Sequence, residues 1–173
     1  MKVLAINSSP RTGGESRSEK LLSLLVDGMK QEGADVEVIN LREYNVKFCQ
    51  GCYSCWTKTP GVCIHKDDMS RTLYPKWLES DIVIYSTPLY HRTFSAMLKA
   101  FIERTLPAAL PYLESDGDRT NHPVRDRVPD FVMLSVAGFP ELEEFQLLSD
   151  LAQYNFNTGR SRLLAEIYLS LIH

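Results

Sequence analysis

Met1 to Ser18, MKVLAINSSPRTGGESRS, runs from a short apolar segment into a polar turn and then into a helical pattern. Val3, Leu4, Ala5 and Ile6 are a near-continuous apolar run, as expected of a strand buried on both faces of a parallel sheet. Behind the turn, SEKLLSLLVDGMKQEG places Leu21, Leu22, Leu24, Leu25 and Met29 on one side, and Gly33 supplies the stop. A strand feeding such a turn at a helix N-terminus makes an anion site, because the first-turn N–H groups and the helix dipole both favour negative charge. The hydroxyls of Ser8, Ser9, Ser16 and Ser18 add donors, and Arg11 and Arg17 add planar charged forks suited to phosphate oxygens. The turn has neither the G-x-x-x-x-G-K-[ST] nor the G-x-G-x-x-G pattern. A polar strand-to-helix turn with Ser16 as helix cap accounts for the same residues without a ligand.

The rest of the chain repeats strand and helix. Strands are expected at Asp35–Leu41, Asp81–Ser86, Asp130–Val136 and Leu163–Leu171, with helices from Asp67 or Asp68 to Ser80, from Ser95 to Leu106 and from Glu141 to Asn155. Such alternation implies right-handed crossovers and an α/β doubly wound parallel sheet with helices on both faces. Five strands suit the flavodoxin-like order 2-1-3-4-5, in which ligands sit beyond the strand C-termini where the order reverses. That geometry gathers three loops: Asn7 to Ser18, Thr87 to Phe94, and Ser135 to Pro140. A last helix over the fifth strand is expected, and a partner covering that face is the alternative. The 173 residues read as a single domain, 1–173, with a cysteine-rich loop at about 45–66.

In the second loop Pro88 removes a backbone donor and stiffens the turn after Thr87. Amides from Leu89 onward are then expected to face a flat ligand, with Tyr90 offering an aromatic face. In the third, the small residues Ser135, Ala137 and Gly138 permit close backbone approach, although a plain tight turn explains them nearly as well. The net charge of −3 and the absence of any basic run argue against nucleic acid or an acidic membrane surface as partner. The opening apolar stretch is too short for a signal peptide and nothing reaches transmembrane length, so a cytoplasmic location is expected.

All four cysteines fall in one segment, Cys49, Cys52, Cys55 and Cys63, spaced C-x2-C-x2-C-x7-C. Thiolates so spaced converge on one centre without a regular element between them, and Gly51 and Gly61 free the backbone to wrap. Four soft ligands suit a [4Fe–4S] cluster. Zinc also takes four cysteines, although its structural sites more often pair two knuckles at greater separation. Disulfides fit poorly with a cytoplasmic chain.

NSSPRTGGESRSEKLL resembles the flavin-phosphate loop of the NADPH-dependent FMN reductase superfamily, and TPLYHRTFSAMLKAFIER resembles that family's second flavin loop and following helix. The cysteine segment with Asp67-Asp68-Met69 behind it is similar to the iron–sulfur flavoproteins of the same superfamily. The resemblance covers Met1 to about Arg104 and implies bound FMN. Its phosphate would be held by Ser9, Arg11, Ser16, Arg17 and Ser18, and its ring would lie against Thr87, Pro88, Leu89, Tyr90, Ser135 and Gly138. It further implies NAD(P)H or a ferredoxin as electron donor, and a homo-oligomer, dimer or tetramer, in which one subunit's cluster approaches a neighbour's flavin. Asn7-Ser8 and Arg17 depart from the family's Gly-Ser and Asn. Because the cofactor does the redox chemistry, no general acid or nucleophile is required of the chain.

Other residues admit two readings each. His65 tunes the cysteine centre or is a solvated loop histidine, and Asp67-Asp68 caps the next helix rather than performing acid–base work. His91 and Arg92 touch the ring or a nicotinamide donor, or face solvent. The mixed-charge stretch containing Asp116, Asp118, Arg119, His122, Arg125, Asp126 and Arg127 is a solvated excursion, a lid over the flavin or an oligomer contact. Two further functions compete with the iron–sulfur flavoprotein: an NAD(P)H-dependent FMN or quinone reductase whose cysteines are free or zinc-bound, and a non-catalytic module binding another phosphorylated ligand.

Overall fold

In the computed structural model, which describes residues 1–12, 14–116 and 119–170, the expected alternation is present. The elements are β1 (Lys2–Asn7), α1 (Arg17–Gln31), β2 (Asp35–Asn40), a short α2 (Ser54–Thr57), α3 (Tyr74–Glu79), β3 (Ile82–Pro88) and α4 (Ala96–Glu103). After these come β4 (Glu114–Asp116), β5 (Arg119–Asn121), β6 (Asp130–Ala137), α5 (Gln146–Phe156) and β7 (Leu163–Ser170). The main sheet is parallel with order β2-β1-β3-β6-β7, which is 2-1-3-4-5 once the small antiparallel ribbon β4-β5 is set aside. Leu171 and His173, like Asp118 of the mixed-charge stretch, lie outside the described residues.

Burial follows position in the sheet. The three inner strands are apolar and buried almost throughout, whereas the edge strands β2 and β7 alternate with exposed residues. On one face α1 packs Leu22 and Val26 onto Val3, Ala5, Ile84 and Leu134. On the other, α3, α4 and α5 close over an aromatic core in which Tyr85 stacks on Phe131 at 5.4 Å and accepts a 2.9 Å hydrogen bond from Trp77 Nε1. Burying that hydroxyl with a donor satisfies it where water cannot reach. The α1 face carries no second helix among the described residues, and Ala165 and Leu169 of β7 are exposed.

Two sequence expectations are corrected. The helix expected from Asp67 or Asp68 begins as a π-helical turn, Met69–Leu73, and becomes α-helical only at Tyr74. Its start is organised by Asp67, whose Oδ1 accepts the Ser70 amide at 3.1 Å, while Asp68 makes no cap. The excursion from Pro107 to Val128 contains the β4-β5 ribbon, which its polar, short-range sequence did not reveal. The excursion packs on the cysteine loop, with His122 against Trp56 at 4.9 Å between ring centroids, and none of its described residues lines the cavity at the strand ends.

Candidate functional site

At the C-terminal end of the sheet the three loops enclose a cavity of about 650 Å³, lined by Ser9, Arg11, Ser16, Arg17, Ser18, Pro88, Leu89, Tyr90, Val136, Ala137 and Gly138. One end is hydroxyl- and guanidinium-rich and the other is apolar, so the cavity suits an elongated ligand with an anionic head and a flat body. Ser16 caps α1 through its Oγ, which accepts the Glu19 amide at 3.1 Å. That leaves the amides of Arg17 and Ser18, in the first turn of α1, without a protein acceptor among the described residues. Arg11 and Arg17 are exposed and make no ion pair among the described residues.

The turn's own structure uses some of the expected donors. Ser8 Oγ donates to Ser86 O at 2.9 Å, Asn7 Oδ1 accepts the Ser9 amide at 3.1 Å, and Ser9 Oγ accepts the Arg11 amide at 3.3 Å. Asn7 thus closes an Asx turn and reaches Asn40 on β2 through Nδ2 at 3.0 Å. Arg42 braces the loop from outside: its two Nη atoms meet the Glu19 carboxylate at 3.1 and 3.2 Å, and Nη1 donates to Ser9 O at 3.4 Å.

In the second loop, the Leu89 and Tyr90 amides do not face the cavity as expected. Leu89 N–H donates to Val136 O because β3 stays paired to its end, and Tyr90 N–H donates to Thr93 O across a tight hairpin turn. The turn is completed by His91 and Arg92, both left-handed at φ +48° and +61°. Arg92 is anchored to Glu144, Nη2 to Oε1 at 3.2 Å. Thr87 and Ser135 are placed beneath the cavity rather than on its wall. Both are fully buried; Thr87 Oγ1 accepts the Ser95 amide at 2.9 Å and so aims α4, while Val136 and Ala137 take the lining role expected of Ser135.

The cysteine loop forms a second site. Cys49, Cys52, Cys55 and Cys63 are free thiols lining one narrow recess with His65 and Arg104. Left-handed Gly51 and Gly61, at φ +61° and +80°, turn the chain around it. Among the described residues no three Cys, His, Asp or Glu side chains converge tightly enough to hold a single ion. Burial, and then the neighbouring Cys63, Cys49 and Cys52, push the Cys55 thiol up, whereas hydrogen bonds from Ser54 draw Cys52 down. Two buried nitrogen atoms without a partner among the described residues belong to side chains lining this recess, His65 Nε2 and Arg104 Nε. Four free thiols on one recess, with the two unsatisfied nitrogens of His65 and Arg104 beside them, fit a polynuclear centre with its own hydrogen-bond acceptors.

The loop is tied to the domain by pairings that the sequence does not signal, although it offers Asp67 as a helix cap and Arg125 as part of a mixed-charge excursion. Arg104 and Asp67, both buried, form a fork at 2.7 and 2.9 Å, and Arg104 Nη1 also donates to Lys47 O at 2.7 Å. Burial alone pushes the Asp67 carboxyl up, but bonds from Arg104 and the Lys47 and Ser70 amides outweigh it and hold the group well below the usual carboxylate range. Arg125 donates to Pro107 O at 3.0 Å and Cys55 O at 3.3 Å, with its side chain against Gly61. These arginines meet their partners across long sequence separations, where no local pattern signals them.

The sequence model of NADPH-dependent FMN reductases matches residues 1–139, which hold β1 to β6 and every residue named as lining the cavity. The chain belongs to this family. Among curated relatives, this FMN reductase family member is 34% identical over 110 residues to an iron-sulfur flavoprotein of Archaeoglobus fulgidus, covering 64% of this chain and 51% of the relative. It is 35% identical over 107 residues to a second iron-sulfur flavoprotein of the same organism, covering 62% and 46%. The chain therefore spans about half the length of the curated relatives it matches. Its fold is that of the NAD(P)H:quinone oxidoreductase from Methanothermobacter marburgensis, at a TM-score of 0.75 and 17% identity over 99% of this chain and 85% of the other.

Proposed function

We propose that this family member is an FMN-dependent oxidoreductase of the electron-transferring iron–sulfur flavoprotein type, with FMN in the strand-end cavity and a [4Fe–4S] cluster on Cys49, Cys52, Cys55 and Cys63. The observation that carries this reading is the pairing of an amphipathic, cation-headed cavity with four free thiols on a single recess of the same domain. FMN, when bound, supplies the exchange between one- and two-electron donors. The chain's part is binding and electrostatics. Arg11, Arg17 and the open first-turn amides of α1 take the phosphate, with Ser9, Ser16 and Ser18 lining that end. Pro88, Leu89, Tyr90, Val136, Ala137 and Gly138 would line the ring. Ser135 and Thr87 support these walls from below. NAD(P)H or a ferredoxin would deliver electrons, and a homo-oligomer would bring a neighbour's cysteine loop toward the flavin.

Protein purified without oxygen tests this directly by measuring flavin, iron and acid-labile sulfide per chain in one sample. The expected result is flavin with iron and sulfide each in about fourfold excess. Flavin without iron would instead support an NAD(P)H-dependent FMN or quinone reductase with free or zinc-bound cysteines, which the lack of a tight single-point ligand group makes the weaker reading for zinc. A colourless protein would leave only a non-catalytic phospho-ligand module.

A further inference from the structure

The Asp67–Arg104 pair is more than a tie for the cysteine loop. A guanidinium has five N–H donors in a fixed plane. Here Nη1 spends both, on Lys47 O and Asp67 Oδ2, and Nη2 spends one on Asp67 Oδ1. The edge formed by Nε–H and the second Nη2–H is left over, and Nε has no hydrogen-bond partner among the described residues although Arg104 is 2% exposed. Leaving a charged donor unsatisfied in the interior is costly. The same side chain lines the recess with all four cysteines, and it lines a second hollow with Gly61, Val62 and Cys63. Asp67 leaves no freedom to turn the edge away: its oxygens are also held by the Lys47 amide at 2.9 Å and the Ser70 amide at 3.1 Å.

We propose that Arg104, locked by Asp67, is a positioning residue that presents its free Nε edge to the sulfur of Cys63 and lends a fixed positive charge to the cysteine centre. This rests on the cluster reading above. Arg104 and Cys63 line both hollows together, in keeping with that assignment. A hydrogen bond and a positive charge next to a ligating sulfur favour the state with one more electron, so the pair raises the centre's reduction potential. Lysine does not substitute fully. Its point charge keeps the sign but lacks a second planar edge once it has engaged Asp67.

The test compares wild type, Arg104→Lys, and the double variant Arg104→Met with Asp67→Asn, which avoids stranding one buried charge. Each is purified without oxygen, and the cluster is titrated by a potentiometric experiment followed by electron paramagnetic resonance. The double variant is expected to hold its electron about tenfold less tightly, a fall of about 59 mV for a one-electron couple, and Arg104→Lys is expected between it and wild type. Flavin content should be equal in all three, because no residue of this pair lines the flavin cavity. Equal potentials with full iron and flavin would overturn the assignment of Arg104 while leaving the cluster standing. A variant that loses flavin and iron together, with the potential of any remaining cluster unchanged, would reduce the pair to a structural tie and likewise overturn it. Wild-type protein with flavin but no iron would overturn the cluster reading, and this inference with it.

Discussion

Arg42 grips Glu19 with both terminal nitrogens, at 3.1 and 3.2 Å, and so neutralises the one acidic side chain in the first turn of α1. An acidic residue there stabilises the helix but repels a phosphate at the same terminus. The ion pair lets both tendencies coexist. Replacing Arg42 by Ala should therefore weaken FMN binding by about 1 kcal/mol, roughly fivefold in Kd, whereas Glu19→Gln should leave it unchanged or tighter. Quenching of flavin fluorescence on titration measures both, and equal weakening in the two variants would mean that the pair acts only as a brace.

Phosphate recognition by Arg11 and Arg17 separates from ring recognition by comparing two ligands. The double change to Ala should raise the Kd for FMN by roughly 10–100-fold, taking about 0.7–1.4 kcal/mol for each solvent-exposed charged contact. The Kd for riboflavin, which has no phosphate, should not move. Parallel loss of both ligands would place the arginines in the fold of the loop and not at the phosphate.

Cys52→Ser should strip iron from the protein while flavin stays bound, because Cys52 lies on the recess and no cysteine lines the flavin cavity. Visible absorption and iron analysis of one sample decide it. Full iron retention would remove Cys52 from the ligand set.

The acid limb of stability should report Asp67. Its carboxyl titrates well below the usual carboxylate range in the folded chain, so the unfolded chain binds more protons below about pH 4. Its contribution is whole above the unfolded value and is lost as the pH falls toward the folded one. Asp67→Asn should cost roughly 3–5 kcal/mol at neutral pH by leaving Arg104 unpaired, and should flatten the decline below pH 4. Urea unfolding at a series of pH values checks both; an unchanged acid slope would assign the decline to other carboxylates.

The sequence carries the sheet because its signals are local. The apolar runs of β1, β3 and β6, the Ser16 and Ser95 caps and the α1 stripe each lie within a few residues of one another. Register and order then follow from crossover rules. The cysteine spacing was visible for the same reason. What could not be read was pairing at a distance: Arg42 with Glu19 across 23 residues, Arg104 with Asp67 across 37, and Arg125 with Cys55 across 70. The expectation that a stiff turn at Pro88 aims the Leu89 amide at a ligand fails on the sheet's own pairing. Proline removes only its own donor, and β3 remains paired to β6 through that residue.

The hairpin beside the flavin cavity offers a contrast between two neighbouring side chains. His91 and Arg92 both hold positive φ, a conformation that costs an L-residue roughly 1–2 kcal/mol and glycine almost nothing. Glycine in turn loses more freedom on folding, by about 0.5–1 kcal/mol. His91 is exposed and makes no hydrogen bond or ion pair among the described residues, so His91→Gly should gain roughly 0.5–1 kcal/mol, a few degrees in Tm. Arg92→Gly relieves the same strain but gives up the bonds to Glu144, and should come out near neutral. The difference between the two thermal shifts isolates the Arg92–Glu144 contact from backbone strain. If Arg92→Gly proved the more stable of the pair, the ion pair would contribute nothing to holding Tyr90 at the cavity rim.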